Sequence, residues 1–311
     1  MLAIWCAILV TVPRGATGLR RSGPANRFRF AAARAGESRD LGTLVGDEIG
    51  PQSTLRLGPD SVVVVSTASR GLGLEFVRQL LERTPAQVVA LHRLAKTGEL
   101  ELLQQQHHER LRMVAVDLED QTTVEAAGAA IQGMHSRVDL LLNVAGILGD
   151  GKSKATPGPE RSITGIDREW LTKTFEVNLI GHVMMTQALW PLLKRDKAEA
   201  PSKVVNLSAR VGSISDNKLG GWYSYRMSKA SINMFTKTLS LEAKRINCAV
   251  LSLHPGTVDT DLSKPFQGNV AQSKLFTPQH SVACMLDVVG SITDAKDGGK
   301  FFAYDGSEIP F

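Results

Sequence analysis

The chain has 311 residues, 43% of them hydrophobic and 22% charged, the balance of a soluble globular protein with a sizeable core. Its formal charge of +5 misleads: six arginines and no lysine or acid fall in residues 1–36, leaving 30 basic against 31 acidic residues, so nucleic-acid binding has no electrostatic support. Three distant cysteines (Cys6, Cys248, Cys284) exclude a disulfide framework, and no histidine pair has HxxxH or HExxH spacing, so no metal site is expected.

In chain order, residues 2–12 form an apolar run too short for the roughly 20 residues of a membrane span, so no transmembrane segment is expected. The Arg-rich, acid-free leader (1–36) fits a mitochondrial targeting peptide better than a secretory one, whose positive charges would precede the apolar run. An unstructured extension on a cytoplasmic protein is the alternative. Residues 37–59 are rich in glycine and polar residues and are expected to be a linker. From 60 to 311, strands are predicted at 61–66, 87–91, 113–116, 138–143, 203–207, 247–253 and 300–303, all Val/Leu-rich without polar alternation. Amphipathic helices are predicted between them, including 72–82, 124–134, 169–194 and 224–245. This alternation predicts an α/β fold, a single doubly wound parallel sheet (Rossmann-like) with helices on both faces. Its ligand should lie at the carboxyl ends of the strands.

Three stretches carry chemistry. The first strand runs into Ser66-Thr67-Ala68-Ser69-Arg70-Gly71-Leu72-Gly73, a glycine-rich turn whose backbone N–H groups can meet a pyrophosphate at a helix N-terminus. The second strand ends in Leu91-His92-Arg93, without the acid that would hold the ribose hydroxyl of NAD. Arg70 and Arg93 suit a 2′-phosphate instead, so NADP(H) is expected in preference to NAD(H). In Tyr225-Arg226-Met227-Ser228-Lys229, the i, i+4 spacing puts Tyr225 and Lys229 on one helix face. An ammonium beside a phenol should lower the phenol's pKa, preparing Tyr225 to exchange a proton with a carbonyl oxygen.

These stretches, in this order over 60–311, resemble the short-chain dehydrogenases/reductases, and SARVGSISDNKLGGWYSYRMSK with the ending FFAYDGSEIPF is similar to the C-factor and sniffer-like carbonyl reductase branch. The resemblance implies a phosphate loop at Ser69, Arg70, Gly71 and Gly73, with Thr67 in the place of the motif's first glycine. It implies adenine contacts at Asp117 and Leu118, and a motif after the fourth strand at Asn143, Ala145 and Gly146. Pro255, Gly256 and Thr260 would meet the nicotinamide side, and Asn178 would support a proton relay to Lys229. At the family's serine position stands Ala209; Ser213 and Ser208 are the candidates to replace it. Residues 262–278 read as a loop over the substrate.

The expected activity is NADP(H)-dependent reduction of an aldehyde, ketone or quinone to an alcohol, or the reverse, on a small-molecule substrate. The resemblance also implies a homodimer or homotetramer formed through the helices at 169–194 and 224–245. Thr67 and Ala209 motivate the alternative, a non-catalytic or weakly active nucleotide-binding or signalling protein on the same fold.

Overall fold

The computed structural model describes residues 55–93, 98–149 and 158–311; the leader and residues 37–54 of the expected linker lie outside the described residues. The central sheet is built from β1 (Val62–Val65), β2 (Gln87–His92), β3 (Leu111–Ala115), β4 (Leu140–Asn143), β5 (Ser202–Leu207), β6 (Cys248–His254) and, beyond a short pair β7 (Thr257–Val258) with β8 (Leu275–Phe276), β9 (Phe301–Ala303). Seven strands run parallel in the order β3-β2-β1-β4-β5-β6-β9. The order reverses between β1 and β4, the switch point where such sheets open a crevice. All seven predicted strands are present, with ends shifted by one or two residues.

The four valines of β1 explain the absence of polar alternation. Val63 and Val65 enter one apolar cluster with Phe76, Val77 and Leu80 of α1 (Gly71–Arg83) and Val282, Met285 and Val289 of α7 (Pro278–Ser291). Val62 and Val64 enter the opposite cluster with Val124 and Ile131 of α3 (Gln121–Met134) and Met185 and Leu189 of α5 (Gly181–Leu189). Helix α2 (Gly98–Gln106) covers the first face through Leu100 and Leu103.

The long helix predicted at 169–194 is broken into α4 (Arg168–Phe175), a π-helical turn Glu176–Ile180, α5 and a 3₁₀ segment Trp190–Leu193. The 3₁₀ segment is explained by Pro191, which cannot donate into the α ladder. The π turn widens the helix by one residue, a feature frequently found at functional sites. Among the described residues no helix is long and apolar enough to cross a membrane.

Helix α6 (Tyr223–Ala243) inverts the usual pattern: its buried side carries Tyr225, Ser228, Lys229, Asn233, Thr236 and Ser240. The sheet meets it with polar partners in register, because Asn143, Asn206 and Ser252 stand side by side on β4, β5 and β6. Asn143 Nδ2 donates to Asn206 Oδ1 (2.9 Å) and Thr186 Oγ1 (3.0 Å). Asn206 Nδ2 and Ser252 Oγ both donate to Thr236 Oγ1, at 2.9 and 2.8 Å. A polar seam thus runs under the helix beside the buried Ile232 and Ala243.

Candidate active site

At the end of β1 the chain turns through Thr67, which takes φ +55°, and Gly71, at φ +56°, before entering α1. The turn therefore holds a threonine in the left-handed region, against the steric preference of a β-branched residue. Gly73 is required where it stands, since a Cβ would run into the Thr67 carbonyl. Arg70, in extended backbone, offers no side-chain cap to α1, and no acid lies in its first turn. The helix N-terminus thus presents uncapped N–H groups beside an open, glycine-lined turn, which fits a pyrophosphate. Ser66, buried at the strand end, accepts a hydrogen bond from the Val144 N–H (2.8 Å) and fixes this turn against the loop after β4.

Around that crevice the predicted residues distribute unevenly. Arg70 and Arg93 are exposed, Arg93 making only a loose 3.8 Å pair with Glu119. Asp117 and Leu118 follow β3; the Asp117 carboxylate accepts from the Glu119 N–H (3.1 Å), and Leu118 packs on the second core cluster. The Asn143 side chain is fully buried and donates within the polar seam, where it anchors strands. Ala145 is buried, while Gly146 lies against Lys229 and Asn178: a Cβ there would lie 3.5 Å from Lys229 Nζ and 3.7 Å from Asn178 Oδ1. Pro255 and Gly256 follow β6, with the Pro255 carbonyl held by Ser281 Oγ (2.7 Å). Thr260 precedes the loop at 262–278, its carbonyl accepting from the Ser263 and Lys264 N–H groups.

The structure brings Asn178, Ser228, Tyr225 and Lys229 together. Asn178, fully buried on the π turn, accepts from the Ile147 N–H (2.7 Å) and donates to the Ile147 carbonyl and to Ser228 Oγ, both 3.0 Å. Lys229 is buried, donates to the Leu207 carbonyl at 2.8 Å, and lies 5.7 Å from the centre of the Tyr225 ring.

The expected lowering of the Tyr225 pKa is reversed here. Burial pushes the phenol above its ordinary range, and the same burial pushes the Lys229 ammonium down to about 7. Desolvation disfavours both charged forms, and at this separation it outweighs their attraction. His182 on α5, which the sequence reading passed over, is fully buried beside them; burial and then Lys229 hold its pKa at about 3, so it is neutral.

Neither serine candidate takes the donor's role. Ser213 Oγ donates to the Pro310 carbonyl and accepts from the Asp216 N–H (3.1 Å). Ser208 Oγ is buried and directed at the Lys229 carbonyl, 3.4 Å away.

Glu160 was also missed. Helix α6 has Trp222 as N-cap and no side-chain cap of its own. The buried Glu160 carboxylate supplies one from another loop, accepting from the Ser224 N–H (3.1 Å) and from Ser224 Oγ, while its carbonyl accepts from the Trp222 N–H. A carboxylate at a helix N-terminus also meets the positive end of the helix dipole. No local sequence signal marks a cap contributed from 64 residues away.

The chain belongs to the short chain dehydrogenase family, whose profile matches residues 61–270. Among solved structures it is similar to an NADPH-bound carbonyl reductase from chicken fatty liver, at 30% identity over 82% of this chain and 100% of that one, with a TM-score of 0.71. It is also similar to the carbonyl reductase Sniffer of D. melanogaster, at 27% identity over 81% of this chain and 99% of that one, TM-score 0.71. The C-signal protein of Myxococcus xanthus is 32% identical over 174 residues, 56% of this chain and 93% of that protein.

The Lys229 environment sets a pH signature. With a folded pKa of about 7 against an unfolded value near 10.4, the unfolded chain binds the extra proton between those limits, so this group makes wild-type stability rise with pH across that window. Lys229→Met removes the dependence. The melting temperature of the variant minus that of wild type should therefore fall as pH goes from about 7.5 to 9.5. A difference that stays flat over this range would show that Lys229 is not desolvated.

Proposed function

We propose that the chain is a carbonyl reductase that uses NADP(H) in preference to NAD(H), with Tyr225 as its proton donor. The observation that carries this reading is a buried phenol with a lysine 5.7 Å from its ring and Asn178 bonded to the intervening Ser228. A protonated phenol is the form needed to give a proton to a carbonyl oxygen as it is reduced. The reduced dinucleotide, when bound, supplies the hydride to the carbonyl carbon. Ser69, Arg70, Gly71 and Gly73 would hold its pyrophosphate, Asp117 and Leu118 its adenosine, and Gly146, Pro255, Gly256 and Thr260 its nicotinamide half. As the phenol releases its proton, Lys229 offsets the phenolate charge in a water-poor site. The substrate oxygen receives no serine hydroxyl from Ser208 or Ser213, and losing such a donor slows turnover by about 10²–10³. The reading is therefore of a slow enzyme rather than a nucleotide-binding protein without chemistry.

Tyr225→Phe should abolish NADPH oxidation by an aldehyde panel while NADPH still binds; turnover equal to wild type would sink the mechanism. For the cofactor, wild type should bind NADPH at least about tenfold more tightly than NADH, and the double substitution Arg70→Ala, Arg93→Ala should erase most of that margin. Equal wild-type affinities would remove the roles given to the two arginines.

A homodimer formed through α4 and α6 is part of the same proposal. On α6 the outward side carries Met227, Met234 and Leu241 at heptad spacing, 40%, 66% and 62% exposed, with Ile180 of the neighbouring π turn 40% exposed. Apolar residues on the outer side of a helix whose inner side is polar suit a second copy of the chain. Met234→Glu should halve the mass measured by light scattering, and a monomeric wild type would overturn the assembly.

A further inference from the structure

Gly220, Gly221 and Trp222 stand consecutively in the left-handed region, at φ +64°, +62° and +54°. Glycines take that conformation freely, whereas a tryptophan does so against steric strain. The turn is pinned from outside by Arg226, whose Nε donates to the carbonyls of Gly220 (3.2 Å) and Gly221 (3.0 Å) and whose Nη1 donates to the Val211 carbonyl (3.1 Å). Trp222 gives α6 no side-chain cap, that task falling to Glu160, so capping does not explain why a large aromatic side chain occupies the position.

The indole's contacts do. Its ring meets Tyr225 edge-on, centroids 6.4 Å apart at 69°, and lies tilted against Phe266 at 5.2 Å and 54°. Phe266 belongs to the 3₁₀ segment Lys264–Asn269 of the loop at 262–278. That loop is tied at its base, where Thr257 and Val258 of β7 pair with Leu275 and Phe276 of β8. Trp222 and Phe266 are both partly exposed, so they form a wall open to solvent beside the phenol rather than a piece of core. A strained residue beside a reactive group, retained for its side chain, points to function.

We infer that Trp222 and Phe266 are specificity-determining residues that select flat, apolar aryl carbonyl substrates over saturated ones of equal size. The inference rests on the reading of Tyr225 as proton donor. A carbonyl within reach of the Tyr225 hydroxyl places one substituent against the wall. An aromatic ring there gains offset or edge contacts with the indole and phenyl faces, while a puckered saturated ring lacks both the flat face and the quadrupole.

The test compares benzaldehyde with cyclohexanecarbaldehyde, which have the same carbon count, on the full chain with saturating NADPH. Wild type should favour benzaldehyde in kcat/KM. In Trp222→Gly, which relieves the backbone strain, and in Phe266→Ala, which leaves the turn untouched, that preference should shrink about tenfold, mainly through a higher KM for benzaldehyde. The Trp222→Gly protein should also melt above wild type, a result that separates loss of the wall from loss of the fold. An unchanged ratio in both variants, or an equal loss for both aldehydes, overturns the wall while leaving Tyr225 in place if Tyr225→Phe is inactive. Wild type that reduces neither aldehyde, or Tyr225→Phe as active as wild type, overturns the underlying reading and the wall with it.

Discussion

The buried amine of Lys229, anchored on the Leu207 carbonyl, is the contact around which the site is arranged. A polar group so deeply placed requires its helix to turn polar side chains inward, and these require partners on the sheet. Those partners are the registered residues Asn143, Asn206 and Ser252, joined through Thr186 and Thr236. The seam fixes the height of α6 above the sheet, and with it the distance from Tyr225 to the crevice between β1 and β4. An apolar interface would tolerate sliding, because hydrophobic contact is non-directional; a hydrogen-bonded one has a single register. What α6 surrenders in apolar burial on the inside reappears as apolar side chains outside, at Met227, Met234 and Leu241.

Burial also decides the protonation states, and all three shifts run the same way. Tyr225 is pushed up, and Lys229 and His182 are pushed down, so the neutral form of each is favoured. Such a site stores little charge at rest and responds strongly when charge develops, because its low polarity strengthens every later electrostatic contact. Under the proposed mechanism the protonated phenol is the form that would donate to a carbonyl, and the pull of Lys229 on a phenolate would belong to the reacting state rather than to the resting one.

How much of this could be read in advance depended on whether the determinant was local. The run Val62-Val63-Val64-Val65 announced a strand covered on both faces, and both apolar clusters use it. Tyr225 and Lys229 were legible because one helical turn converts sequence spacing directly into proximity. Asn178 was legible only through resemblance; nothing nearby in sequence signals the π turn that carries it inward. Glu160 and the polar seam were not legible, since they join residues 16 to 64 positions apart, and such pairings exist only once the sheet is assembled. The hydrogen bond from Ser213 to the Pro310 carbonyl, 97 residues away, is equally invisible in the sequence. The phenol's pKa was misjudged because pairwise attraction can be read from spacing, whereas desolvation depends on the whole surrounding fold.

Backbone strain links the two ends of the crevice. Among the described residues, those with positive φ that are not glycine are Thr67, Trp222 and Asn247. Asn247 ends a 3₁₀ turn before β6, and asparagine adopts the left-handed region readily. Thr67 and Trp222 do not, yet one shapes the turn into α1 and the other opens the helix that carries Tyr225. A residue in that conformation costs about 1–3 kcal/mol, a sizeable share of the roughly 5–15 kcal/mol that holds a domain folded. Glycine at either position would remove the strain, and at Trp222 the two preceding residues already are glycine. The strain therefore lies at the turns that lead into α1 and α6 and is carried by scaffolding that over-determines it: Ser66 and Gly73 around Thr67, Glu160 and Arg226 around Trp222. Stability has been concentrated in the strands and seam so that the crevice can hold conformations the local sequence would not choose.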